Sequence, residues 1–205
     1  RLIAASRWPP PARSTGWNWA RSPAIAARKT HADPERVEAA VVRLLEAAIR
    51  HNTKRWHGLV VETHKDEALQ MAVGCSSKRR PDCYLLLHTE FGGLRLIVEV
   101  DEFQHKSYSC ECEQSRMLEI TNELLLASEE REVVVFIRFN PDCYKVRDRI
   151  RRGSRTEVAL KKRVLEMDRV IEHLCTQRIE IPEGKYCGVI YLFYDGYEGL
   201  ELLYL

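Results

Sequence analysis

The chain has 205 residues, 45% hydrophobic and 30% charged, which is enough for one ordinary domain and a tail. No apolar run approaches the ~18 residues of a membrane-spanning helix, so no membrane association is expected; the seven cysteines follow no regular framework and read as reduced thiols of an intracellular protein. The net charge of +2 hides an asymmetry: residues 1–32 carry +6 and residues 145–163 carry +7, which leaves −11 on the rest and points to a local polyanion partner rather than general stickiness.

Residues 1–32 mix Pro, Ser, Ala and Arg without a helical or strand period. They are expected to form a basic arm or linker ahead of a single domain over residues 33–205. The Arg-rich, acid-poor makeup also resembles an organelle transit peptide, so nucleus or organelle is the expected address. Trp8, Trp17 and Trp19 are candidates for docking on the domain, and the opening Arg in place of Met is what a fragment or processed chain would show.

Asp33 and Pro34 read as the N-cap and first turn of a helix over 34–52. Its stripe of Val37, Ala40, Val41, Leu44, Leu45, Ala48 and Ile49 should pack on a sheet. Glu38 borders that stripe, either as a solvated flank or as a side chain reaching toward a metal site. Leu59 to Val61 reads as a short strand and residues 65–73 as a short helix. The loop from Gly74 to Arg80 is polar and basic. Its Lys78, Arg79 and Arg80 either hold phosphates, for which Arg is well shaped, or form a solvated run.

Asp82 to His88 and Leu94 to Asp101 read as an antiparallel hairpin joined through Glu90-Phe91-Gly92-Gly93. A helix follows over 112–127 with Met117, Ile120, Leu124 and Leu125 toward the core. Glu132 to Phe139 is a central strand by its β-branched density, and it ends at the turn signal of Asn140-Pro141-Asp142. Residues 145–155 form a very basic loop. Thr156 then caps a helix over 157–176, with Val158, Leu165, Val170, Ile171 and Leu174 on its buried side. Val189 to Tyr194 and Leu200 to Leu205 are final strands joined by a turn at Asp195-Gly196. This order gives an α/β (α+β) layer fold: a mixed central sheet flanked by helices.

The chemistry concentrates at one end of the hairpin. Alternation puts Leu96, Val98 and Val100 on one face of their strand and Ile97, Glu99 and Asp101 on the other. Two carboxylates in so apolar a run are costly to desolvate unless something offsets their charge. With Asp82 as a third oxygen donor, no phosphate-cradling Gly loop and no compact Cys/His cluster, the set fits a hard ion such as Mg²⁺ or Mn²⁺. The bland alternative is three acids at strand ends in water. Glu113 and Arg116, three apart on one helix face, either reach this site or pair with each other.

These residues resemble the restriction-endonuclease-like superfamily, whose signature is Pro-Asp on one strand of a hairpin and (Asp/Glu)-x-Lys on the next. The match here is Pro81-Asp82 and Glu99-Val100-Asp101. The ordered set Arg80-Pro81-Asp82, Glu99-Val100-Asp101, His105, Glu113 to Arg116 and Arg138-Phe139 is similar to the branch near very-short-patch-repair endonucleases, and the RRPD, EVDEFQH and IRFNPD strings also look like uncharacterised proteins of viruses and protists. The resemblance covers roughly residues 75–144, with the helix over 34–52 matching the family's first helix.

The resemblance implies a restriction-endonuclease-like core and metal-dependent hydrolysis of phosphodiester bonds in DNA. Asp82, Glu99 and Asp101 would be the metal ligands, and Asp101 stands where the family has its lysine. Gln104, His105 or a metal-bound hydroxide would then do the lysine's work on the water, imidazole being suited to proton transfer near neutrality. Lys78, Arg79, Arg80 and Arg116 would hold the backbone near the cut; Arg147, Arg149, Arg151, Arg152 and Arg155 would add sequence-neutral phosphate contacts. A structural Zn²⁺ held by Cys110 and Cys112, with His105 and Cys75 or Cys83, is a further expectation, and relatives of the repair type carry one in a comparable region. Two other readings stay open: a non-catalytic nucleic-acid-binding module on a degenerate nuclease fold, and a nuclease domain of a larger mobile-element or repair protein.

Overall fold

The computed structural model describes residues 36–51, 60–65, 81–105, 110–126, 128, 132–146, 149–151, 155–197 and 201–205, with backbone alone for 60–65 and 105. All of them belong to one unit, Arg36–Leu205. The expected arm 1–32, the cap pair Asp33 and Pro34, residues 66–73 of the short helix expected over 65–73 and the loop holding Cys75, Lys78, Arg79 and Arg80 lie outside the described residues, while Lys65 ends a strand. Arg147 and Arg152 also lie outside the described residues.

The elements are α1 (Val37–His51), β1 (Val60–Lys65), β2 (Cys83–Thr89), β3 (Gly92–Val100), α2 (Cys110–Leu126), β4 (Glu132–Phe139), β5 (Tyr144–Val146), β6 (Arg149–Arg151), α3 (Glu157–Cys175), β7 (Gly188–Leu192) and β8 (Leu203–Tyr204). Six strands form one sheet in the order β1-β2-β3-β4-β7-β8; β5 and β6 pair separately. Neighbours β1–β2, β2–β3 and β7–β8 are antiparallel, whereas β3–β4 and β4–β7 are parallel. The fold is therefore α+β with a mixed sheet, as the sequence leads one to expect.

Each face of the sheet has its own core. On one, α1 and α3 cover Leu85, Leu87, Leu94, Leu96, Val98, Val100, Val135, Ile137, Phe139 and Ile190. On the other, Met117, Ile120 and Leu124 of α2 cover Tyr84, Ile97, Val134, Phe136 and Val189. The parallel strands need helical crossovers, and α2 and α3 supply them on opposite faces. The β2–β3 turn uses Gly92 at φ 118°, a backbone conformation that a Cβ disfavours.

Three local expectations change. Val158 is 68% exposed, because the buried stripe of α3 runs through Leu160, Val164, Met167, Ile171 and Leu174 and residue 158 falls outside that period. Thr156 stands at the cap position, but its hydroxyl makes no capping hydrogen bond. The basic loop 145–155 contains the β5–β6 hairpin. Among the described residues, no helix is long and apolar enough to cross a membrane.

Candidate functional site

The site lies at the carboxyl ends of the three parallel strands, where open α/β sheets commonly place ligands. Antiparallel pairing sets Cys83 opposite Val98, which brings Asp82, one step before β2, alongside the end of β3. There the Val100 backbone N–H donates to Asp82 Oδ2 at 2.7 Å. Glu99 is 3% exposed, and its Oε2 lies 2.9 Å from Arg116 Nη1. Its other oxygen, Oε1, is buried and has no hydrogen-bond partner among the described residues.

Both carboxyls are pushed up the pH scale. Burial raises Glu99 to about 7, and the charge of Asp82 adds to this against the opposing pull of Arg116. Burial also raises Asp82; Glu38 and Asp101 push the same way, while the Val100 N–H and Arg116 oppose them. Glu38 on α1, paired with Arg36 at 3.5 Å, thus feels the site electrostatically.

Asp101 is placed differently from the expectation of a cation ligand. It is fully buried, and Arg138 holds it with both prongs of its guanidinium, at 2.5 and 2.9 Å. The Tyr194 hydroxyl also donates to it. Parallel pairing of β3 and β4 sets Arg138 beside Glu99, so a guanidinium from the next strand supplies the counter-charge that a metal ion would have given. Arg138 also pairs with Glu113. Glu113 and Arg116 thus each cross from α2 to the sheet. The buried Tyr194 phenol is pushed up by burial first and then by Asp101.

Gln104 is not free to activate water. Its Nε2 donates to the Cys143 carbonyl at 3.3 Å, and its Oε1 accepts from the Asp195 N–H at 3.0 Å. It sits in a tight turn after β3 in which Phe103 (φ 55°) and Gln104 (φ 58°) are both left-handed, a strain tolerated only where the surroundings fix it. Asp142 does part of that, with Oδ2 accepting from the Phe103 N–H at 2.8 Å. The backbone of His105 belongs to this turn; its side chain lies outside the described residues.

Arg155, expected to contact phosphate, clamps the turn after β3. Its guanidinium lies 2.9 and 3.1 Å from the two oxygens of Asp142, 3.1 Å from Glu102, and stacks on the Phe103 ring. Arg116 is likewise engaged with Glu99. By contrast Arg149 and Arg151 are exposed. Cys110 and Cys112 are exposed at the start of α2, while Cys83 is buried in the core under α1 and α3, away from them. Among the described residues, no group of three His, Cys, Asp or Glu side chains is arranged to hold a metal ion.

Sequence reasoning missed the roles of Arg138 and Tyr194. Arg138 had a signal: a cation inside the apolar strand EVVVFIRF is as costly to bury as Glu99. Tyr194, more than ninety positions from Asp101, had none. Comparison with protein-family models, with curated proteins and with solved structures finds no match to this chain.

Proposed function

We propose that this chain is a metal-dependent DNA endonuclease that hydrolyses phosphodiester bonds, with Asp82 and Glu99 as the ligands of Mg²⁺ or Mn²⁺. One observation carries the reading: the buried, partnerless Oε1 of Glu99 beside a second carboxyl, Asp82, that is also raised. An unpaired buried oxygen is expensive, and a hard cation is the partner that two adjacent carboxylates prefer.

When bound, such an ion supplies Lewis acidity toward a phosphate oxygen and a more acidic water. The chain does the rest. The Val100 N–H fixes Asp82, and Arg116 fixes Glu99 through Oε2. Asp101 is held by Arg138 and Gln104 by the neighbouring loops; His105, whose imidazole suits proton transfer near neutrality, is the proposed proton carrier.

A Glu99→Gln variant should keep DNA affinity and stop nicking plasmid in Mg²⁺ or Mn²⁺. Nicking at the wild-type rate would overturn the assignment. The second reading, a nucleic-acid-binding module without catalysis, draws on the guanidinium groups of Arg116 and Arg138, which already offset two of the acids. That reading takes over if the wild type binds DNA yet nicks nothing with either metal.

A further inference from the structure

The carboxyls at the end of β3 are engaged to different degrees. Parallel register sets Arg138 of β4 beside Glu99, but Arg138 holds both oxygens of Asp101 and also pairs with Glu113. The Tyr194 hydroxyl is a further donor to Asp101. Both oxygens of that carboxyl are therefore taken. Asp82 and Glu99 are each half engaged. Asp82 gives Oδ2 to the Val100 N–H at 2.7 Å, and Glu99 gives Oε2 to Arg116 Nη1 at 2.9 Å. Among the described residues that leaves one oxygen on each, Asp82 Oδ1 and Glu99 Oε1, and the second of these is buried without a partner.

Charge gives the same count. With their protons lost, Asp82, Glu99, Asp101 and Glu113 stand against Arg116 and Arg138, a surplus of two negative charges. Glu38 adds nothing to it, since Arg36 lies 3.5 Å away, and the turn acids Glu102 and Asp142 are met separately by Arg155. One divalent cation balances that surplus. A second would leave the cluster positive even with one substrate phosphate added.

Sites that use two ions on a phosphodiester hold them about 3.5–4 Å apart, to offset charge on both the attacking and the leaving oxygen. Ions so close share a carboxyl between them. On Glu99 the second oxygen carries a guanidinium instead. The Arg116 side chain is 28% exposed, so it meets Glu99 on one side and solvent on the other, and a guanidinium is well shaped for a phosphate.

Resting on the nuclease reading for its reaction, we infer that Asp82 and Glu99 take a single divalent cation, and that Arg116, seated on Glu99 Oε2, stands where a second one would bind and presents its positive charge to the substrate phosphate.

The count is read by titrating the full chain with Mn²⁺ and following the free ion by electron paramagnetic resonance. The wild type should bind one Mn²⁺ per chain. Arg116→Ala uncovers Glu99 Oε2 and adds a negative charge to the surplus, so it should bind two, the second about ten-fold or more weakly because the first already offsets most of the charge. Arg116→Lys, which keeps the charge, should return the count to one. Misfolding does not imitate this result, since it loses the first ion rather than gaining another. Plasmid nicking reads the same exchange through its metal dependence. Below saturation the wild-type rate should rise with the first power of Mn²⁺ concentration. Arg116→Ala should nick about a hundred-fold more slowly at the concentration that saturates the wild type, the loss expected for one donor of positive charge. Its rate should then climb with the second power, because the place of the guanidinium is open. Two Mn²⁺ on the wild type, a second-power wild-type rate, or an alanine variant that still binds one overturns the inference.

The two readings fail separately. If the wild type nicks and binds two Mn²⁺, the single-ion inference fails and the nuclease stands. If the wild type binds one and the alanine variant two, yet nothing is nicked in Mg²⁺ or Mn²⁺, the nuclease reading fails and the single-ion pair stands. A wild type that binds no Mn²⁺ sinks both.

Discussion

The two faces of β3 are made from the same nine-residue strand and are built in opposite ways. Toward α1 and α3 it presents Leu94, Leu96, Val98 and Val100, all buried among apolar neighbours. Toward α2 it presents Arg95, Ile97 and Glu99, and Asp101 follows in the same phase. Every charge on that second face has an opposite one: Arg95 with Glu132, Glu99 with Arg116, Asp101 with Arg138. The first face gains stability by the transfer of apolar surface, worth roughly 1.5–3 kcal/mol per large side chain. The second gains little net from its pairs, since desolvation offsets much of the attraction, but it loses heavily if one partner is removed. Among the described residues, Glu99 alone of these keeps a buried oxygen without a partner, so the face departs from self-sufficiency at the proposed metal site.

The largest expected effect tests this contrast directly. Arg138→Met should cost about 3–5 kcal/mol in urea unfolding, because it strands the buried Asp101 carboxylate. The double variant Arg138→Met/Asp101→Leu should recover most of that loss. Leu96→Ala on the apolar face should cost about 2–5 kcal/mol through cavity and transfer terms, and no partner change should recover it. Equal costs for the single and double arginine variants would mean that shape, not charge balance, decides this face.

Next in size is a pH effect. Folded, Glu99 holds its proton to about pH 7; its ordinary value is 4.5. Between those values the folded chain binds more protons than the unfolded one. The contribution is therefore fully present below pH 4.5 and is lost as pH rises through 7, by roughly 3 kcal/mol at most. Asp82 adds to the same trend. Glu99→Gln should flatten this part of the stability profile, read by thermal melts in metal-free buffer. Mg²⁺ should raise the melting temperature of the wild type more at about pH 8 than at about pH 5, because it binds the ionised pair and not the protonated one. A melting curve insensitive to both pH and Mg²⁺ over this range would remove the energetic case for a metal at Asp82 and Glu99.

The fold was legible wherever one physical rule governed a segment. Leu94 to Asp101 and Glu132 to Phe139 are dense in β-branched and aliphatic residues, and both are strands within a residue or two of expectation. The α1 stripe reads off its period, and Ala40, Val41, Leu44, Leu45 and Ala48 are all buried. Asp82 and Glu99 come together because hairpin register follows from local sequence. What the sequence did not show depended on tertiary partners. The phase of Asp101 is as read, but nothing near it in the chain says that Arg138 and Tyr194 will saturate it. Gln104 and Arg155 look like exposed polar residues until Asp142, Cys143 and Asp195 arrive from other loops to engage them. The basic run 145–155 gave charge without shape, since three-residue strands are too short for a period to show.

The smallest expected effect concerns the last residue of that hidden set. Tyr194→Phe removes the hydroxyl that donates to Asp101 and leaves the ring in its edge contacts with Tyr191 and Tyr197. Arg138 still holds both oxygens of Asp101, so the carboxylate is not stranded. The loss should be about 1.5 kcal/mol, the lower end for a hydrogen bond to a charged group. If Asp101 only braces the strand that carries Glu99, nicking at saturating Mg²⁺ should fall about ten-fold, the low end for a supporting contact around a metal ligand, with its pH profile unmoved. A pH profile displaced along with the rate would place Asp101 and Tyr194 in the proton path itself, and the division between a bracing pair and a metal-binding pair on this face would have to be redrawn.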